Sequence, residues 1–328
     1  MSEAPNPGIL LHHGHLHVLV MPGEGGRIAS LLDTRSGVEF LFQPPAPYYR
    51  STPLDLWAPY ESSACAGIDD CLPTVSVSGP ETPGGPVPDH GDFWRLPCSV
   101  LAIANDALTL STEGYSRPLH MEKTLRLHAD SLEIRYTLRN LSSQPVPFLY
   151  ALHPLLAIDP GDRLLLPPQV TSATLNSSHA HRLGSPGDSV PWPHPHPAID
   201  LTLTQPVTAG TADMLYTPRL TSGWAALYRD RHGQGIIVRF DPRQLPYAGL
   251  WLCYGGWPDD PALPRQHAVA FEPTVAPHGS LAAAIAAGQA PVLPPHGTFE
   301  FTASLEITAQ YPISYEEFAV QCSKHIHN

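Results

Sequence analysis

Three short segments of the sequence carry side chains that can exchange protons or bind a polar ligand. The first, Asp89–Arg95, reads DHGDFWR and holds an imidazole, carboxylates, an indole and a guanidinium. Such a mixture can bind a sugar, because sugar hydroxyls need donors and acceptors while the C–H face of the ring stacks on an aromatic side chain. A loop packed by Phe93 and Trp94 with exposed charges explains the same residues equally well. The candidate ligand-binding residues here are His90, Trp94 and Arg95.

The second segment is an apolar run over residues 148–158 that one titratable group, His153, interrupts. An imidazole with an ordinary pKa of about 6.5 suits general-acid catalysis at neutral pH if it faces a cleft. A histidine in such a run is more often a core residue whose hydrogen bonds are satisfied. Both interpretations of His153 stay open at this point.

The third segment, residues 268–274, has a strand pattern that ends in Glu272 beside Pro273. Burying a carboxylate is costly unless the group is paired or functional, which marks Glu272 as a candidate functional residue. The alternative is a carboxylate that simply reaches water at the end of the strand.

Other kinds of catalysis lack local support in the sequence. There is no H-E-x-x-H, facial triad or thiolate cluster, so we predict no catalytic metal. There is also no G-x-S-x-G, no P-loop and no G-x-G-x-x-G followed by a helix. Acyl transfer, phosphate binding by a glycine-rich loop and dinucleotide binding are therefore not indicated, and we expect no cofactor.

The elements that must position these residues are predicted to be strands. The chain has 39 Pro and 25 Gly, which leave little room for long helices and suit short strands joined by turns. Apolar residues alternate with polar ones over Leu125–Leu127 and again over Leu132–Leu138, on either side of a turn at 128–131. Ile28–Phe42 has two apolar runs around a turn. Further runs typical of strands lie at 99–103, 107–112, 145–158, 223–228, 235–240, 248–254, 267–272 and 298–307.

Helices are expected to be few and short. Ser280 can cap a helix over 281–287, and Ser314 with Glu317 forms a capping box before a helix near the carboxy terminus. Segments rich in Pro and Gly at 43–62, 78–91 and 184–199 are predicted to be surface loops, some of them at the edge of a binding cleft. Strand patterns continue on both sides of these loops, so we predict a single all-β domain over residues 1–328.

Charge and targeting signals exclude several partners. The net charge is −12 and no run of Lys or Arg offers a surface for phosphate backbones, so we expect no nucleic-acid partner. No apolar stretch reaches membrane-spanning length and no signal peptide is recognisable, so we expect a cytoplasmic protein without a membrane partner. Five cysteines without a C-x-x-C motif suit free thiols in a reducing compartment. We expect a monomer or a homodimer.

The order of these segments resembles the aldose 1-epimerase (galactose mutarotase) family over most of the chain. Gly25–Leu31 is similar to the family's opening strand, and Asp33–Phe42 to its first hairpin. Asp89-His90-Gly91 is similar to the N-H-G motif, and Leu152-His153-Pro154 takes the place of the H-x-Y-F-N segment. Phe271-Glu272-Pro273 is similar to the E-P-Q motif.

One further segment resembles the family, and three positions differ from its motifs. Ala212-Asp213-Met214-Leu215 is similar to the stretch in which an Asp binds sugar hydroxyls. Thr274 stands where the family has Gln, Asp89 stands where it has Asn, and no Tyr-Phe-Asn follows His153. The sequence therefore resembles a divergent, mutarotase-related branch.

The resemblance implies a β-supersandwich of large twisted antiparallel sheets and an isomerase that opens and recloses the ring of a free hexose. By carry-over, Glu272 removes the proton from the C1 hydroxyl and His153 protonates the ring oxygen. These roles require Glu272 to be ionised and His153 to be at least partly protonated. We then expect a bell-shaped pH profile around neutrality, with its acidic limb from Glu272 and its basic limb from His153.

The ligand implied is a small carbohydrate, bound without a cofactor. By carry-over, His90 hydrogen-bonds the sugar and stabilises charge on oxygen, and Asp213 accepts hydrogen bonds from its hydroxyls. Trp94 and Arg95 shape the pocket.

Three other functions fit the same fold. A hexose-phosphate epimerase would hold the phosphate through arginines such as Arg50 and Arg95. The departures around His153 and Thr274 would also suit a carbohydrate-binding protein without catalysis. A polysaccharide lyase or hydrolase rests on analogy of fold alone.

Overall fold

The computed structural model describes residues 8–45 and 55–308. In chain order, the strands within these residues are β1 Ile9–His13, β2 Leu16–Met21, β3 Arg27–Asp33, β4 Val38–Glu39, β5 Ile68–Cys71, β6 Ser99–Ile103, β7 Ala107–Glu113, β8 Leu119–Leu127, β9 Ser131–Asn140, β10 Val146–Pro147, β11 Ala151–Ala157, β12 Arg163–Leu165, β13 Ser172–Ser178, β14 Ser189–Pro191, β15 Thr211–Tyr216, β16 Trp224–Arg229, β17 Gln234–Phe240, β18 Tyr247–Tyr254, β19 His267–Thr274, β20 Val292–Leu293 and β21 Thr298–Thr308. One α-helix, α1, spans Leu281–Ala286, and short 3₁₀ helices span Tyr60–Ser62, His179–His181 and Val207–Ala209.

The strands form two large sheets and a two-stranded ribbon of β10 and β20, with antiparallel pairing throughout the named strands. The first sheet has the order β1-β2-β3-β5-β11-β19-β18-β15-β13-β14, with β4 paired to β3. The second has the order β12-β16-β17-β21-β9-β8-β7-β6. The predicted all-β fold of large antiparallel sheets is confirmed; that residues 1–328 form one domain stays a prediction.

The second sheet follows the period-two pattern of its sequence. In β9, Leu132, Ile134, Tyr136 and Leu138 are buried, while the residues between them are partly or fully exposed. The largest hydrophobic cluster contains residues of both sheets, for example Leu132 of β9 and Leu250 of β18. Because burying one such side chain stabilises by about 1.5–3 kcal/mol, this shared core holds the sheets together.

The central strands of the first sheet are buried on both faces. In β11 and β19 nearly every residue is buried. Two-sided burial removes the alternation of apolar and polar residues, which is why the sequence shows continuous apolar runs at 148–158 and 268–274. The titratable groups in these runs therefore lie inside the molecule.

Two carboxylates of β5 are buried on opposite faces of the first sheet. Asp69 accepts from Arg27 Nε at 2.9 Å, and Asp70 accepts from Lys123 Nζ at 2.8 Å and from the Tyr150 hydroxyl at 2.9 Å. Since Lys123 belongs to the second sheet, its ion pair crosses the space between the sheets. Buried charges without partners are costly, so these pairs constrain how the sheets pack.

The short helix α1 forms at the predicted place. The Ser280 hydroxyl accepts from the backbone N–H of Ala283 at 3.2 Å, and Gly288 follows the helix with φ +66°. The capping box at Ser314 and Glu317 lies outside the described residues. All helices of residues 8–45 and 55–308 are too short or too polar to traverse a lipid bilayer.

Candidate active site

A cavity of about 530 Å³ opens over the central strands of the first sheet. Its floor comes from β11, β13, β15, β18 and β19, and its rim comes from loops around residues 59–61, 75–77 and 89–90. The residues that line it are Pro59, Tyr60, Glu61, Val75, Ser76, Val77, Asp89, His90, His153, Asn176, Ser177, Met214, Tyr216, Trp251, Trp257, Gln266, Glu272 and Gly279. Residues 59–61 and 89–90, which belong to the predicted loops at 43–62 and 78–91, thus edge a cleft. Its size is in the range that binds small molecules.

Strand pairing brings His153 and Glu272 together on the cavity floor. The register of β11 and β19 pairs Ala151 with Thr274 and Leu155 with Ala270, so His153 lies opposite Glu272. His153 Nε2 and Glu272 Oε1 are 3.4 Å apart, and the two residues are 6% and 2% exposed. The sequence interpretation of His153 as a satisfied core residue does not hold, because its Nδ1 has no partner among the described residues.

The environment shifts the proton affinities of this pair in opposite directions. Burial raises the pKa of Glu272 to about 8. Burial, together with the nearby His90, lowers the pKa of His153 to about 3. Both shifts favour the uncharged forms, as expected for groups removed from water. At neutral pH the pair therefore carries one proton on Glu272 and a neutral imidazole at His153, the reverse of the protonation expected from the sequence.

His90 is held beside the pair by Asp89 and Tyr60. The His90 Nδ1 lies 2.9 Å from Asp89 Oδ1, and its ring stacks on Tyr60 with centroids 3.9 Å apart. Because a carboxylate can only accept, Nδ1 donates and Nε2 is left for a ligand. Burial raises the pKa of Asp89, but the nearby His90, the hydrogen bonds from His90 and from the backbone N–H of Tyr60, and the charge of Arg95 together outweigh this and lower it. The His90 and His153 rings are 5.4 Å apart.

Glycines make room for this arrangement. A Cβ on Gly91, where φ is +74°, would lie 2.0 Å from the Leu72 carbonyl oxygen, so the turn that carries His90 requires glycine. Gly249 of β18 pairs with Glu272, and a Cβ there would lie 3.0 Å from Glu272 Oε2. The missing side chain leaves the space that the Glu272 carboxyl occupies.

Aromatic residues form one wall of the cavity. Trp251 and Trp257 meet edge to face with ring centroids 6.3 Å apart, and Trp251 Nε1 donates to Gln266 Oε1 at 2.7 Å. Indole faces next to amide and carboxyl groups are suited to the C–H face and the hydroxyls of a sugar.

Trp94 and Arg95 do not line the cavity. The Trp94 ring is fully buried, and its Nε1 donates to the Asp89 carbonyl at 3.0 Å. Arg95 stacks on that ring and donates to the carbonyls of Asp55 and Ala58, each at 2.9 Å. Both side chains also donate to the Asp89 carbonyl and so support the loop that carries His90 from behind, while Arg95 ties this loop to the one over residues 55–58. The structure does not place them as direct ligand contacts.

Asp213 also lies outside the cavity lining. On β15 its neighbour Met214 faces the cavity, so alternation turns Asp213 to the opposite face of the sheet. There its carboxylate accepts from the Ser178 hydroxyl at 2.6 Å and from Arg182 Nε at 2.8 Å. The expectation that Asp213 accepts from a ligand is corrected, because its oxygens are engaged on the other face.

The sequence analysis did not select several cavity residues. Tyr60 lies in a Pro-rich loop, and Tyr216 and Trp251 lie in strands buried on both faces, where alternation does not tell which side faces a ligand. The only local signal was the presence of aromatic side chains in or beside strands. Their convergence depends on the pairing order of the sheet.

Comparison with known proteins identifies the fold. No protein-family model matches the chain, and no curated protein matches its sequence. Among solved structures, Slr1438 from Synechocystis sp. PCC 6803 is similar, with a TM-score of 0.68 and 17% identity over 94% of this chain and 99% of that one. A galactose mutarotase-like protein from Lactobacillus casei ATCC 334 gives a TM-score of 0.66 and 15% identity, covering 92% of this chain and 100% of that one.

A third similar structure is a galactose mutarotase related enzyme from Lactobacillus acidophilus, with a TM-score of 0.65 and 15% identity over 92% of this chain and 97% of that one. At these identities the likeness establishes the fold and leaves the reaction to be argued from the site. The chain has the galactose mutarotase-like β-supersandwich fold, which confirms at the level of structure the resemblance seen in the sequence.

Proposed function

We propose that the protein is an aldose 1-epimerase, an isomerase that interconverts the α and β anomers of a free hexose through acid/base ring opening. The observation that carries the proposal is the contact of His153 and Glu272 on the floor of a sugar-sized cavity. Ring opening needs one group that removes the C1 hydroxyl proton and another that protonates the ring oxygen. A buried pair that shares one proton supplies both.

The neutral form of the pair sets the direction of the first step. Glu272 gives its proton to the ring oxygen while His153 takes the proton of the C1 hydroxyl, and the C1–ring oxygen bond breaks to leave an open-chain aldehyde. After rotation about C1–C2, His153 returns a proton to the carbonyl oxygen. Glu272 takes the proton from the hydroxyl that attacks C1. Each cycle restores the starting protonation, so the chemistry needs no cofactor.

His90 supports this reaction through its free Nε2. Since Asp89 holds Nδ1, the ring can donate or accept at one defined position beside His153. Hydrogen bonds to sugar oxygens at this position would stabilise charge that develops as the ring opens.

A neutral sugar suits the cavity better than a phosphorylated one. No Arg or Lys lines it within residues 8–45 and 55–308, whereas Glu61 and Asp89 do. Arg95, named in the alternative of a hexose-phosphate epimerase, donates to backbone carbonyls instead. Arg50 lies outside the described residues.

Polarimetry on α-D-glucose and α-D-galactose, with the spontaneous rate subtracted, tests the proposal. We expect His153→Asn and Glu272→Gln each to lower the catalysed rate by about 10²–10⁴-fold, the usual contribution of one positioned acid or base. Asp213→Asn is the control, because Asp213 is also a buried polar residue but faces away from the cavity. We expect this variant to retain the catalysed rate. Unchanged rates in both His153 and Glu272 variants would refute the assignment.

Two further measurements separate the alternatives. A higher kcat/KM for glucose 6-phosphate than for glucose would indicate that the substrate is a phosphorylated hexose and not a free one. Sugar binding in calorimetry without any conversion of anomers would favour a carbohydrate-binding protein that lacks catalysis.

A further inference from the structure

Tyr216 lines the same cavity and has a buried hydroxyl. The residue is 2% exposed and lines the cavity, and its hydroxyl has no hydrogen-bond partner within the described residues. Leaving a buried donor without a partner is costly, so such groups in native proteins call for an explanation. Glu272 Oε2 and His153 Nδ1, both buried, also lack partners among the described residues. Three residues that line one cavity thus each have a buried polar atom with unused hydrogen-bonding capacity.

The register of the sheet places these groups in one row. His153 lies opposite Glu272, Glu272 pairs with Gly249, and Gly249 pairs with Tyr216. Side chains in one such row, perpendicular to the strands, point to the same face of the sheet. His153 and Tyr216 therefore stand on opposite sides of Glu272.

Gly249 lies between Glu272 and Tyr216 in this row. The two residues are two strand spacings apart, about 10 Å between their backbones, and the strand between them has no side chain in this row. The Glu272 carboxyl and the Met214 methyl group cover Gly249 itself, so a ligand that contacts both Glu272 and Tyr216 lies above them in the cavity. The part of a sugar beside Tyr216 is then on the side of Glu272 that is away from His153, and so away from the reacting C1 end.

Resting on the proposed function, we infer that Tyr216 is a specificity-determining residue whose hydroxyl donates a hydrogen bond to one ring hydroxyl of the sugar, distinct from the anomeric hydroxyl. Because this contact lies away from the reacting atoms, it is made equally in the bound sugar and in the transition state. Its loss then weakens binding and raises KM while kcat stays the same.

The test compares Tyr216→Phe with a matched control, Tyr254→Phe. Tyr254 is also 2% exposed with a hydroxyl that lacks a partner in the described residues, but it lies outside this cavity. For D-galactose or D-glucose in isothermal titration calorimetry, we expect Tyr216→Phe to raise Kd about 3- to 10-fold, the usual value of one neutral hydrogen bond. KM should rise by the same factor with kcat changed less than about twofold, and Tyr254→Phe should match the wild type.

A series of monodeoxy sugars identifies the hydroxyl. For one deoxy sugar, the Kd of the wild type should exceed its Kd for the parent sugar by the factor expected for Tyr216→Phe. The Kd of Tyr216→Phe should be the same for this deoxy sugar as for the parent sugar. The wild type alone keeps the inference falsifiable if Tyr216→Phe folds poorly, because a wild type that binds every deoxy sugar as well as the parent sugar would overturn it.

Distinct outcomes overturn the inference and the proposed function. Equal Kd values for wild type and Tyr216→Phe would overturn the role of Tyr216 even if anomers are converted. The same holds if Tyr216→Phe raises Kd by an equal factor for every deoxy sugar. If Tyr216→Phe binds all but one of the deoxy sugars more weakly than the wild type does, the binding role of Tyr216 is supported. If the wild type at the same time converts no anomers, the proposed epimerase activity is overturned. No binding of either hexose by the wild type would overturn both.

Discussion

Replacing Glu272 by Gln is expected to change how the stability of the protein depends on pH. Burial raises the pKa of Glu272 from 4.5 to about 8, so over this range the folded state binds a proton that the unfolded state has lost. The group therefore destabilises the fold progressively as the pH rises from 4.5 and reaches its full effect above about 8. At about 1.4 kcal/mol per pKa unit, the loss between about pH 6.5 and pH 9 amounts to about 2 kcal/mol.

His153 does not interfere over this range. Burial lowers its pKa to about 3, and its ordinary pKa is 6.5, so above that pH the imidazole is largely neutral in both states. Glutamine has no proton to lose. The free energy of unfolding of Glu272→Gln, relative to wild type, should thus rise by about 2 kcal/mol from pH 6.5 to pH 9.

Urea unfolding followed by tryptophan fluorescence at several pH values measures this difference. Glu300→Gln, which removes an exposed carboxyl from β21, is the control and should parallel the wild type at every pH. If the curves of wild type and Glu272→Gln also ran parallel, the raised pKa of Glu272 and the protonation of the pair derived from it would be refuted.

Three other substitutions probe the fold and the site. Lys123→Met leaves the buried Asp70 without its cation and should lower the free energy of unfolding by about 3–5 kcal/mol in urea unfolding. Gly249→Ala places a Cβ 2.7 Å from Met214 Cε and 3.0 Å from Glu272 Oε2, so both side chains must shift. On the proposed function, polarimetry should show kcat lowered by about 10- to 100-fold. Ser280→Ala removes the helix cap and should lower Tm, with a loss of about 1 kcal/mol in stability and no change in sugar affinity.

Local patterns in the sequence predicted the fold class and most strands. Strands β8 and β9 show alternation that survives in the structure because one of their faces packs on the core while the other meets water. Helix α1 could be predicted from the cap at Ser280 and the glycine at 288, because both act on backbone groups that are close by in the sequence. His153 and Glu272 were detectable because a titratable group in an apolar run is costly and therefore rare.

The roles of residues outside such patterns depended on the tertiary structure. Asp213 matched a motif but faces the wrong side of the sheet, and a motif does not encode which face of a doubly buried strand meets the cavity. Tyr216 carried no local signal, because its position follows from pairing with Gly249 across two strands that are far apart in the chain.

The protonation of the central pair also required the folded structure. The sequence alone determined that His153 and Glu272 are the unusual titratable residues of two apolar strands. Only the tertiary structure decided that they touch and that burial moves the proton to Glu272. The physical reason is that a pKa shift depends on the water and charges excluded or brought near by distant segments, whereas strand and cap patterns depend on interactions between close neighbours.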